Sequence, residues 1–142
     1  MNPFNHNNQM KKIIQNHIMT KPEKERALTL FDWMRFHIKY SKTYFNNYKT
    51  AVETFKRKKG SCMEQSCLYI GMAKLAELET SLVYVNRDYK DIEVSHACVK
   101  YQNILIDPAY KCYGIEHKLY KILSNEEAIE FFHKIRNKTK YT

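Results

Sequence analysis

The sequence predicts an α+β fold in which a central helix packs on a small antiparallel sheet. Two observations carry this reading. Up to about Leu78 the apolar residues recur at helical spacing; from Thr80 onward the period shortens to that of strands. Helices first and a run of short strands after them argue for helices grouped against an antiparallel sheet, not for alternating βαβ units. In addition, residues 61–78 carry Met63, Cys67, Leu68, Tyr69, Ile70, Met72, Leu75 and Ala76 on almost every side. A helix apolar all round has to be enclosed by the rest of the domain.

The elements follow in order. Residues 1–9 are polar and Asn-rich and are expected to lack order, and residues 10–18 form a short helix that the Thr20-Lys21-Pro22 step interrupts. Residues 22–39 form a second helix, with Pro22 suited to its first position and Ala27, Phe31, Met34 and Ile38 on one stripe. Leu28, Leu30 and Trp33 widen the stripe, and Arg35 and Lys39 face water. Residues 47–58 form a third helix that ends in Lys56, Arg57, Lys58 and Lys59, cations suited to the negative end of a helix dipole. Gly60 is read as the break after that helix. Ser61 and Glu64 have capping-box spacing at the start of the central helix. Thr80–Asn86, Glu93–Tyr101 and Ile104–Asp107 read as strands, with a polar loop over 87–91 and a two-residue turn at Gln102-Asn103. Residues 124–134 form a last helix, capped by Ser124 and apolar at Ala128, Ile129, Phe131 and Phe132.

The chain has 142 residues, 44% of them hydrophobic and 27% charged, which fits one domain spanning 1–142 with a core that needs no staple. No apolar run is long enough to span a membrane, and no secretory pattern opens the chain, so a cytoplasmic protein is expected. Four cysteines in that setting are expected to be free thiols. The net charge of +9 favours acidic protein or peptide partners through long-range attraction. Nucleic acid would be drawn by the same field, but no nucleic-acid motif accompanies it.

Three residues stand out for chemistry. Cys62 falls at the first turn of the buried helix, where unpaired N–H groups favour a thiolate and can hold an oxyanion. With a two-residue turn at Gln102-Asn103, Tyr101 faces Ile104, Lys100 faces Leu105 and Cys98 faces Asp107. His96 and Asp107 then project from one face as diagonal neighbours, within reach of each other. A carboxylate that fixes an imidazole, beside a thiol, is the arrangement of a cysteine nucleophile with its general base. Taken singly, each residue has an ordinary explanation: a buried Cys, a sheet His, an Asp-Pro turn former.

The ordered set Gly60-Ser61-Cys62, Ser95-His96-Ala97-Cys98 and Ile106-Asp107-Pro108-Ala109 resembles the transglutaminase-like superfamily of papain-like cysteine enzymes, over roughly residues 23–113. The resemblance implies a papain-like fold and a catalytic triad of Cys62 as nucleophile, His96 as general base and acid, and Asp107 as orienting carboxylate. It also implies acyl transfer at amide bonds through a thioester, without cofactor or metal. The Cys62 N–H would be one oxyanion donor, and Tyr40 or Tyr44 the second. Cys98 and Ala109 stand where the family usually has an aromatic residue and a Thr-like residue. Hydrolysis by a protease, isopeptidase or amidase is the first expectation. Transglutaminase cross-linking of Gln to amines and a catalytically silent binding module with a basic surface are the alternatives. A zinc site drawn from Cys62, Cys67, His96, Cys98 and Cys112 is disfavoured: Cys62 and Cys67 point about 140° apart on a helix, and no Cys-x-x-Cys knuckle is present.

Overall fold

The computed structural model describes residues 1–43 and 47–137. Five helices, α1 (Asn8–Ile13), α2 (Glu23–His37), α3 (Ala51–Arg57), α4 (Cys62–Leu75) and α5 (Asn125–Asn137), pack with seven strands. The strands are β1 (Lys39–Tyr40), β2 (Lys59–Gly60), β3 (Thr80–Arg87), β4 (Glu93–Tyr101), β5 (Ile104–Asp107), β6 (Cys112–Ile115) and β7 (Leu119–Ile122). The α+β fold expected from the change of period is the fold observed.

Helix α4 is the hub. Every residue from Met63 through Ala73 is buried, and the helix packs on β3 and β4 on one side and on α2 and α3 on the other. Even its polar edge is used inward: Tyr69, buried, donates to Ala27 O of α2 at 2.6 Å. In α2, Ala27, Leu30, Phe31 and Met34 are buried as the stripe requires, but Leu28 is exposed. The apolar face is therefore narrower than the sequence reading made it. Pro22 precedes the helix as its cap residue instead of opening it.

The start of the chain is packed, contrary to the expectation for residues 1–9. Phe4 is buried, Pro3 O accepts from Ala51 N–H at 2.8 Å, and Asn5 Oδ1 accepts from Val52 N–H at 2.9 Å. These bonds satisfy N–H groups at the start of α3 that have no partner within the helix. Helix α1 runs on as a π-helical turn over Ile14–Ile18, whose Ile14 and Ile18 are buried.

The main sheet has the order β6-β5-β4-β3-β7. Strands β3, β4 and β5 form the expected meander, and Tyr101↔Ile104 with Lys100↔Leu105 is the expected register. Two strands escaped the sequence reading. After β6 the chain crosses to the opposite edge, where β7 pairs antiparallel with β3. The link 108–111 joins the neighbouring strands β5 and β6, the link 116–118 leads to the opposite edge, and both bring residues to Asp107, where the site lies. Helix α5 then lies on the sheet, capped by Ser124 and Glu127, which accept from each other's backbone N–H at 3.1 and 3.0 Å. No helix among the described residues is long and apolar enough to cross a membrane.

Phe132 anchors α5 with no exposed surface. Phe132→Ala is expected to lower unfolding stability by about 3–5 kcal/mol, read from urea denaturation, because a cavity adds to the lost burial.

Candidate active site

Cys62 is placed by the segment that leads into it. Strands β1 and β2 pair in parallel, with Lys39 N–H donating to Lys58 O and Ser41 N–H to Gly60 O, at 3.0 and 2.9 Å. Gly60 is not the helix-ending residue that the sequence reading assigned. Lys58 takes the left-handed conformation after α3, at φ 56°, and Gly60 lies within β2. Its lack of a side chain serves close packing instead: a Cβ there would come within 2.9 Å of Glu64 Cβ and 3.0 Å of Thr54 Cγ2. Lys56, Arg57, Lys58 and Lys59 are all exposed, and Lys58 Nζ folds back on Phe55 O at 2.7 Å.

Glu64 locks the start of α4. Its buried carboxylate accepts from Ser61 N–H at 2.9 Å, Lys49 N–H at 2.6 Å and the Thr43 hydroxyl. The expected helix cap thus also fastens the loop between β1 and α3 over the helix start. Cys62 follows at the first helical position, half-buried.

His96 and Asp107 meet as the strand register requires. His96 Nε2 lies 2.7 Å from Asp107 Oδ2, with both side chains buried. With Nε2 so engaged, Nδ1 is the ring nitrogen left for another partner, and Cys62 borders the same pocket and the same cleft as His96. Burial works against the imidazolium, but hydrogen bonds to Asp107 and Cys62 and their negative charges outweigh it and raise the His96 pKa to about 9. Burial likewise opposes the Asp107 charge. Hydrogen bonds from His117 and His96 prevail and hold its carboxyl below the ordinary value. Cys67 and Cys98, by contrast, are pushed well up, chiefly by burial. All four cysteines are free.

Three further residues complete the surroundings, and the sequence reading missed all of them. His117, from the crossing link between β6 and β7, donates Nε2–H to the same Asp107 Oδ2 at 2.7 Å. Its Nδ1 is buried and has no hydrogen-bond partner among the described residues. Tyr110 closes over His96 with ring centroids 4.3 Å apart, its backbone N–H donating to Asp107 Oδ1 at 2.9 Å. Asp88 holds that ring in place by accepting from the Tyr110 hydroxyl at 3.2 Å. Burial and the neighbouring Asp88 raise the Tyr110 pKa to about 12, so the phenol keeps its proton. No local pattern marks these residues. His117 stands between Glu116 and Lys118 in what reads as a surface loop, and only the sheet crossing turns it inward.

Tyr40 pairs in register with Gly60 and shares an open cleft with Cys62. Burial and the nearby Cys62 raise its pKa. Tyr44 lies outside the described residues. Tyr48, not singled out from the sequence, lies close enough to Cys62 that burial first and then the thiol raise its pKa as well.

The zinc set considered from sequence is not the set that the fold assembles. Among the described residues, His96, Asp107 and His117 are the group whose ligand atoms lie together, all within 4.8 Å of one another. Ligands about 2.1 Å from a tetrahedral zinc stand about 3.4 Å apart. The two 2.7 Å contacts to Asp107 Oδ2 are instead hydrogen-bond distances.

A thiol at a helix start lies beside a histidine hydrogen-bonded to an aspartate on the next strand, and the superfamily the chain matches supports a cysteine-based kind of enzyme. The model of the transglutaminase-like superfamily matches residues 12–108, and the chain belongs to that superfamily. No curated protein matches the chain. Among solved structures, the chain is similar to a Cytophaga hutchinsonii protein proposed to be a cysteine protease, with a TM-score of 0.62 at 16% identity. The match covers 80% of this chain and 42% of that one, so the chain spans less than half of its structural neighbour.

The histidine–aspartate pair makes stability depend on pH. His96 is raised from 6.5 to about 9, so its pairing contributes fully below pH 6.5 and is lost as the pH rises through about 9. Asp107 is lowered from 3.8, so its contribution is present above that value and is lost as the pH falls through the lowered one. Urea unfolding of the wild type is expected to lose on the order of 2 kcal/mol across the alkaline window. His96→Gln is expected to flatten that loss.

Proposed function

We propose that the chain is a cysteine hydrolase that cleaves amide bonds through a thioester, with Cys62, His96 and Asp107 as its triad. One observation supports the reading: the His96 imidazole, 2.7 Å from the buried Asp107 carboxylate, borders the same cleft as the Cys62 thiol at the start of α4. Cys62 Sγ attacks the carbonyl carbon while His96 Nδ1 holds the thiol proton. The carbonyl oxygen, now negative, receives hydrogen bonds from the unpaired N–H groups at the start of α4. Tyr40 is the second donor on this reading, with Tyr48 as its alternative. The C–N bond then breaks, and the departing amine takes the proton from His96. Water, losing a proton to the same Nδ1, attacks the thioester and releases the acid and the free thiol.

Asp107 acts through orientation. It fixes His96 with Nε2–H toward the carboxylate and Nδ1 toward the thiol, and it supports the imidazolium. His117 and the Tyr110 backbone in turn fix Asp107, so both are positioning residues. An amine in place of water would give transamidation. Acidic peptides would be steered by the net charge of +9.

Iodoacetamide labelling, followed at each cysteine by mass spectrometry across pH, tests the nucleophile. Cys62 is expected to label at neutral pH about tenfold or more faster than half-buried Cys112, and His96→Ala is expected to slow it at least as much. Equal rates at Cys62 and Cys112, unchanged by the substitution, would sink the proposal. For His117, the Gln variant retains an amide donor near the Nε2 position and the Leu variant does not. His117→Gln is expected to leave the pH profile of Cys62 labelling close to that of the wild type. His117→Leu is expected to shift the profile while folded-state spectra stay the same.

A further inference from the structure

Two spaces of different character meet at Cys62. One is the open cleft lined by Tyr40, Val94, Ala109 and Tyr110. The other is a more sheltered pocket of about 80 Å³ that also borders both Cys62 and His96. Its walls are Met63 from the first turn of α4, Leu82 from β3, Leu123, and Phe131 and Ile135 from α5. Tyr84 and Ser95 also line it, and their hydroxyls are bonded to each other at 3.0 Å. His96 is the one ionisable side chain besides Cys62 and the tyrosines Tyr48 and Tyr84 on its border, and among the described residues no Asp, Glu, Lys or Arg lines it. Helix α5 forms the roof, with Phe131 edge-on to Tyr84 at 5.4 Å between ring centroids.

Resting on the cysteine-hydrolase reading, we infer that this cavity is the acyl-side subsite, and that it takes a short branched aliphatic side chain of valine or leucine size. Three physical arguments converge. The acyl group stays bonded to Cys62 Sγ after the first step, so the more sheltered space suits it. The amine must diffuse away, so the open cleft suits the amine. Size comes next: a cavity of about 150 Å³ lined by aliphatic groups and Phe admits benzene, and this one is about half that volume. An aromatic ring is therefore excluded, while a few methyl and methylene groups fit. Charge decides the rest. Away from His96 the walls offer only the Tyr48, Tyr84 and Ser95 hydroxyls, so a carboxylate or ammonium placed against the α5 side would lose its water without a charged partner. Any acidic residue of the substrate belongs outside this cavity, on the exposed basic surface.

The test is acylation of Cys62 by N-acetyl-aminoacyl p-nitrophenyl esters, with Gly, Ala, Val, Leu, Phe and Glu at the acyl position. The Cys62 adduct is read by mass and the released phenol by absorbance. Val and Leu esters are expected to acylate Cys62 about tenfold or more faster than Gly, with Phe and Glu no faster than Gly. Phe131→Ala, at a half-buried position in the roof of the cavity, is expected to raise the Phe ester above the Gly ester when both are measured on that variant. Ile135→Ala repeats that test from the next turn of α5. Equal acylation by all six esters in wild type would overturn the subsite while leaving the nucleophile standing. So would a second series, with Val fixed and the leaving group varied, in which rate follows the apolar size of the leaving group. Absence of any adduct, together with Cys62 labelling no faster than Cys112, would instead remove the hydrolase reading, and the subsite with it.

Discussion

A carboxylate with no exposed surface is costly unless its lone pairs are taken up and its charge is answered. Asp107 is such a group, and the end of the sheet is organised around it. One oxygen accepts from both His96 and His117, the other from the Tyr110 backbone. Each donor comes from a different stretch of chain: β4, the link after β5, and the link between β6 and β7. The carboxylate therefore fastens three segments together, and its charge holds the imidazole ready to carry a proton. Removing it would leave two buried ring nitrogens facing no acceptor, which makes the local structure and the proposed chemistry inseparable here.

Helix α4 supplies the complementary constraint. Its burial from Met63 to Ala73 leaves it little freedom to shift, so its first residue is held as firmly as the core. Glu64 ties Lys49 and Thr43 to the same helix start by accepting from the Lys49 N–H and the Thr43 hydroxyl. The thiol is thus delivered by the helical layer and the imidazole by the sheet, and the site lies where the two layers meet. Because α5 covers only one side of that meeting line, one flank of Cys62 is more sheltered and the other stays open.

Much of this arrangement was legible in the sequence. The change of period located the helical half and the meander, and the continuous apolar coverage of 61–78 marked the central helix. The two-residue turn placed His96 and Asp107 on one face, because side chains alternate along a strand and register follows from turn length. Errors fell where local pattern carries no information. Gly60 was read through its usual role after a helix, whereas its neighbours Thr54 and Glu64 leave no room for a Cβ. Residues 1–9 looked solvated, yet Phe4 and two hydrogen-bond acceptors find partners at the start of α3 and beside α4. Strands β6 and β7, with one buried residue and none, carry no alternating buried face for the sequence to show.

By itself, then, the sequence determined the fold class, the place of Cys62 at the start of the central helix and the pairing of His96 with Asp107. All three follow from periodicity, capping and register, which act between near neighbours or across one turn. Only the tertiary structure decided that His117 shares the same carboxylate, that Tyr110 and Asp88 cover the imidazole, and that α5 roofs a small apolar cavity beside the thiol. Those contacts join segments whose order along the chain says nothing about their meeting. They form because burying Asp107 demands donors from wherever the chain crosses the end of the sheet, and because the apolar face of α5 must find a surface to cover.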